Sequence, residues 1–98
     1  MPQLVQIIFY DPARTCSEDI SKDAKYTGNT LSGTNGDLRV DCAEQCRDEC
    51  KKNDKCVGWV WYSPSSKGNR SKQCWLKKQM KEKESVEGAF TGHCTGTA

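Results

Sequence analysis

"CAEQCRDECKKNDKC", residues 42–56, carries four of the seven cysteines of a 98-residue chain. Four chemistries can account for cysteines in such number, and the choice among them decides the compartment. A structural zinc site uses close pairs on tight turns, so that four ligands converge as a tetrahedron. Here the spacings are C-x3-C, C-x3-C and C-x5-C, and the chain has one histidine, His93. A redox dithiol uses C-x-x-C, which the sequence lacks. Thiol catalysis would rest on Cys94 and its neighbour His93, but adjacent residues on a strand point to opposite faces and share a proton badly. Disulfides are the favoured reading, with one cysteine left over.

The same stretch supplies a second reason. "DCAE" at 41–44 matches a capping box, in which the Asp41 carboxylate accepts from the Glu44 amide and the Glu44 side chain reaches back. A helix over Cys42–Asn53 is therefore expected. Its apolar face consists of Cys42, Cys46 and Cys50 at i, i+4 and i+8, joined by Ala43; nearly everything else is charged or amidic. So little aliphatic surface cannot hold a helix against a sheet by transfer energy alone. Cystines that bond the helix into the domain remove the difficulty.

Downstream, "VGWVWY" places Val57, Trp59 and Trp61 on one face and Val60 and Tyr62 on the other, as in a central strand covered on two sides. "SPSSKGNRSK" reads as a polar loop, "QCWLKK" as a second strand and "EGAFTGHC" as a third. The Lys/Glu-rich "KKQMKEKESVE" between them reads as a solvated connection. Upstream, Cys16 to Arg39 is dominated by turn formers, as in "YTGNTLSGTNGD", and reads as loops with short strands at most. Residues 1–15, with the apolar "LVQIIF" and Pro12, read as an N-terminal extension or linker, and 95–98 as a tail. One helix on an antiparallel sheet makes an α+β domain over 16–94.

A chain of 11.0 kDa with 35% hydrophobic residues builds a modest core, and small domains of this kind often need covalent or metal staples. A net charge of +2 is too balanced to point to nucleic acid. No apolar run reaches membrane-spanning length, so membrane insertion is not expected. "MPQLVQIIFY" has neither a basic leader nor a small-residue cleavage site and does not read as a signal peptide. For an extracellular protein the expectation is then an excised domain with a start methionine added.

Taken together, "CRDECKKNDKCVGWVW", the later "CWLKK" and the upstream "YTGNTL" resemble the PAN/apple domain family, over about Cys16 to Cys94. The resemblance implies a helix cradled by a curved antiparallel sheet of about five strands. It also implies bonds Cys16–Cys94, Cys46–Cys74 and Cys50–Cys56, out of about 105 arrangements that the sequence alone permits. The first of these would close almost the whole domain, a constraint of roughly 4 kcal/mol in the chain-entropy model. Cys42 departs from the basic pattern. Two roles stay open for it: pairing with another chain, or exchange with Cys46 for the bond to Cys74. The style of the loops is most similar to tandem apple repeats of apicomplexan microneme adhesins. The resemblance implies a secreted module that binds a protein or a glycan and sits beside neighbouring apple domains, without catalysis. The alternative is a regulatory exosite module of a secreted protease or growth factor.

The residues themselves offer one candidate binding surface. Lys67, Arg70, Lys72, Lys77, Lys78, Lys81 and Lys83 face a single acid, Glu82, in the stretch 67–83. Such a cluster can steer sulfated glycans or acidic proteins, or it can be a solvated face. Trp75, alternating with Cys74 and Leu76, projects beside Lys77 either as a contact or as part of the core. The ligand-binding candidates are thus Lys67, Arg70, Lys72, Trp75, Lys77 and Lys78. "NRS" at 69–71 fits a glycosylation acceptor at Asn69. No paired carboxylates or phosphate-cradling glycine loop stand out, so neither catalytic nor metal-ligating residues nor a cofactor are expected.

Overall fold

The computed structural model describes residues 15–31, 37–66 and 69–95. The apolar "LVQIIF" and Lys67 fall outside them. In chain order the elements are β1 (Thr15–Cys16), β2 (Ser21–Tyr26), α1 (Ala43–Lys51), β3 (Gly58–Tyr62), β4 (Cys74–Lys77) and β5 (Lys83–Thr95).

β3 is the central strand. It pairs antiparallel with β4 on one side, with Trp59 opposite Leu76, and with β5 on the other, with Trp59 opposite Gly92. Its five residues are all buried. β2 lies antiparallel on β5, which makes a four-stranded sheet, and two-residue β1 pairs with the end of β5 at Cys16 and Cys94. Helix α1 covers one face. Trp59, Trp61, Cys74 and Leu76 pack there against Ala43, Cys46 and Cys50. On the opposite face, Val60, Tyr62 and Ala89 form a smaller cluster with Trp75 and Val86. The two clusters are the two sides of one alternation along β3 and β4.

Three disulfides close the helix side: Cys16–Cys94, Cys46–Cys74 and Cys50–Cys56, spanning 78, 28 and 6 residues. The first lies across the β1–β5 pair, the second joins the middle of α1 to β4, and the third joins the end of α1 to the approach to β3. Cys42 carries a free, half-buried thiol.

Three local expectations need correction. The capping box does not form, and the helix starts one residue later than it implied. Cys42 is the N-cap, with φ −152° and ψ 164°, and makes no side-chain cap bond. Asp41 instead donates its N–H to Gln45 Oε1 at 2.8 Å, while its carboxylate meets Lys72 Nζ at 3.2 Å. Lys72 is drawn to the helix start, and with it the carboxylate that would have capped. The helix is also shorter than expected, ending at Lys51 with Lys52 as C-cap.

The second correction is β2, six residues within a segment read as loops with short strands at most. The third is its partner. Lys83–Glu87, read as solvated connection, is the first part of the 13-residue β5. Both stretches are polar and carry no period-2 apolar signal. Their pairing is supplied by backbone bonds, with Lys25 and Glu84, opposite each other, 3.7 Å apart. The pairing shifts register at Asp23, where φ is 58° and Oδ1 accepts from the Gly88 N–H at 2.9 Å.

After β2 the chain crosses to the outer edge of β4. Thr27 N–H donates to the Glu82 carbonyl at 2.9 Å, Lys78 N–H to Asn29 at 2.9 Å, and Leu31 N–H to Leu76 at 2.8 Å. Farther along the same edge, Cys74 N–H donates to the Leu38 carbonyl at 2.8 Å. This crossing raises a wall beside the face of the sheet that α1 leaves uncovered.

Candidate ligand-binding cleft

Between that wall and the sheet lies a cleft of about 360 Å³. Its floor comes from alternation: Val60 and Tyr62 of β3, and Trp75 and Lys77 of β4, all point away from the helix. Its wall is the segment from Lys25 to Thr30. Gly28, with φ +123°, lets the backbone turn close against Gln79 and aims its carbonyl inward.

Lys77 is the unusual residue. It is 8% exposed, and its Nζ donates to the Gly28 carbonyl at 2.8 Å. Among the described residues it has no carboxylate partner. Burial lowers its ammonium below the ordinary lysine value of 10.5, and repulsion from Lys25 pushes the same way. Arg70, itself exposed, holds its guanidinium over the Tyr62 ring at 5.2 Å from the centroid and lines the cleft beside it. Trp75 is half-buried and lines the cleft, its Nε1 donating to Gln73 Oε1 at 3.0 Å, which holds the ring in place. Tyr26 completes the aromatic lining. Among the described residues no aspartate or glutamate lines the cleft. It therefore combines three cations, three aromatic rings and inward-facing peptide groups, a composition suited to holding an anion-bearing ligand.

The structure sorts the sequence-derived candidates. Arg70, Trp75 and Lys77 come together at the cleft. Lys72 does not: with φ 68° it turns toward Asp41 at the start of α1. Lys78 is exposed and lies outside the cleft lining. Asn69 is exposed, and its carbonyl accepts from Arg39 and Gln73. Sequence reasoning missed Lys25, Tyr26, Gly28 and Thr30, because "KYTGNT" reads as a turn and nothing local says that it will fold over β4. Tyr62 was visible only as the second face of a strand.

A second depression, lined by Ile20, Lys22, Cys42, Ala43, Glu44, Trp61 and Phe90, lies at the start of α1 and is mostly apolar. Among the described residues no cluster of three or more His, Cys, Asp or Glu side chains is placed to hold a metal ion, and no helix is long and apolar enough to cross a membrane.

In comparisons with known proteins, a family model described as PAN domain matches residues 24–77, more than half of the chain. That stretch runs from β2 to the end of β4 and contains the cleft residues named above. No curated protein matches the chain.

Proposed function

Because this chain belongs to the PAN domain family, whose members are general protein- and carbohydrate-interaction modules, we propose that it is an extracellular adhesion module that holds its ligand in the Lys77 cleft. The observation that carries this reading is Lys77, buried in the cleft with Trp75, its Nζ on the Gly28 carbonyl and with no carboxylate partner among the described residues. A merely structural lysine would rest its ammonium in water or on a carboxylate. Family membership and three disulfides support an extracellular setting, since such bonds persist in oxidising compartments. Within that setting we place the chain as one repeat of a larger secreted adhesin, in the manner of microneme proteins, beside neighbouring apple domains. The ligand is a glycan or a protein on a partner cell.

The test is a binding screen of the oxidised chain against immobilised glycans and cell-surface proteins, repeated with Trp75→Ala. This variant removes the ring of a half-buried side chain and is expected to cut binding about tenfold or more, as loss of an aromatic anchor does, while the far-ultraviolet circular dichroism stays unchanged. Full binding by a folded Trp75→Ala chain would move the ligand site elsewhere.

A further inference from the structure

We propose that the cleft receives a single acidic sugar ring at the end of a glycan, with its carboxylate or sulfate against Lys77 and Lys25 and its apolar ring face on Trp75. This rests on the reading that the cleft is the ligand site, and it names what fits there.

Charge is the first argument. Lys77 is buried beside a second cation, Arg70 is also in the lining, and among the described residues no acid lines the cleft. A buried ammonium without a counter-ion is unfavourable, and an anion from outside relieves it. Lys25 is partly engaged by Glu84 at 3.7 Å, outside the lining, which leaves Lys77 as the main unpaired cation.

Size is the second. At about 360 Å³ the space lies near the small end of ligand sites, which run from about 300 to 1,000 Å³. It suits one ring and its substituents. A long polyanion would lie instead across exposed lysines such as Lys78 and Lys81.

The third argument separates a sugar from a peptide. An extended peptide gains affinity by adding a strand to an open edge. Both strands that floor the cleft have their edges filled: β3 lies between β4 and β5, and the outer side of β4 is bonded to Leu31 and Leu38. What remains available is the half-buried Trp75 indole, the half-buried Tyr26 ring and isolated polar groups, which match a ring with one apolar face and a hydroxylated rim.

The experiment is an amide-NMR titration of the whole oxidised chain with D-glucuronate, N-acetylneuraminate, galactose 6-sulfate, neutral galactose and a short Asp-rich peptide. At least one acidic sugar is expected to bind about tenfold or more tighter than galactose, which is the scale of one charge-assisted contact. Its shifts should centre on Gly28, Tyr62, Trp75 and Lys77. The carboxylate and sulfate arms tell which acid group is read. Lys77→Gln should lose that preference, Lys25→Gln should weaken it several-fold, and Lys55→Gln on the far side should leave it intact. If Lys77→Gln does not fold, Lys25→Gln carries the test. Equal binding of galactose, or stronger binding of the peptide, with shifts at the cleft would overturn the acidic-sugar proposal and leave the cleft as the ligand site. Acidic-sugar binding with shifts at Lys78 and Lys81 would overturn the cleft reading itself. No binding by any of the sugars would overturn the proposal outright.

Discussion

On the α1 side of the sheet, Trp59, Trp61, Cys74 and Leu76 meet a helix and are sealed by cystines. On the other side, one residue along in each strand, Val60, Tyr62, Trp75 and Lys77 meet no helix, and a cleft remains. The backbone is shared, so the difference lies in what covers each face. The helix offers only Ala43 and cysteines as buried apolar surface, and covalent bonds replace the aliphatic contacts that it lacks. With the fold secured on that side, the opposite face can keep a buried cation that a packed core would exclude, beside the half-buried rings of Tyr26 and Trp75. On the proposed function, stability and recognition thereby fall to opposite faces of the same two strands.

The most forceful way to break this division is to open the helix side. Cys46→Ala with Cys74→Ala removes the bond between α1 and β4 and should cost about 2–5 kcal/mol in chemical denaturation. That is a large part of what a domain of this size has. The cleft should lose its ligand only as the fold is lost, so binding measured at low denaturant should track the folded fraction. A double variant that stays folded and as stable as the parent would mean that α1 is held by something other than its cystine.

A subtler probe acts from the cleft side. Lys77 has a lowered folded-state pKa, so its charged form is less welcome in the folded chain than in the unfolded one. The sign follows: the penalty is complete below the folded value, declines as pH rises through it, and is gone above the ordinary value of 10.5. Lys77→Met, measured on a Cys42→Ser background to avoid thiol exchange, should flatten this part of the profile. The difference in unfolding free energy between parent and variant should therefore move in the parent's favour between neutral pH and pH 10.5. A saturating anionic ligand should abolish that movement. A difference that does not change with pH would show that Lys77 is as well solvated as a surface lysine.

Which parts could be read from residues alone follows the same division. The helix, the Trp strand and the "QCWLKK" strand were legible because alternation and cysteine spacing announce them locally. β2 and the first half of β5 were not, since "SKDAKY" and "KESVE" are polar on both faces and become strands through each other. The specific cystine set came from family resemblance, as spacing alone does not choose among the arrangements. Half of the cleft was legible for a related reason. Arg70, Trp75 and Lys77 lie in one basic stretch, whereas Lys25 and Gly28 reach them across 49 residues through the Gly28–Lys77 bond. Charge clustering also misled, because a count of lysines cannot tell Lys77, buried in the cleft, from Lys72, drawn to Asp41.

The smallest effect sharpens the helix side at its one uncommitted residue. Cys42 occupies the N-cap with extended φ and ψ, as a cap requires, yet no side-chain bond meets the first amides of α1. Serine in that geometry accepts from the second or third amide and is among the preferred caps, worth about 1 kcal/mol over a non-capping residue. Against this stands the exchange of a thiol for a hydroxyl in the apolar depression that Cys42 lines with Ile20, Trp61 and Phe90. Cys42→Ser is thus expected to lie between unchanged and about 1 kcal/mol more stable, with three disulfides recovered by peptide mapping. Any covalent dimer seen on a non-reducing gel should vanish with it. If Cys42 rather than Cys46 holds Cys74, the variant loses the bond between helix and sheet. It would then unfold far more easily than the parent, and Cys46→Ser would fold as well as the parent. Those two results together would move the helix anchor one turn toward the N-terminus.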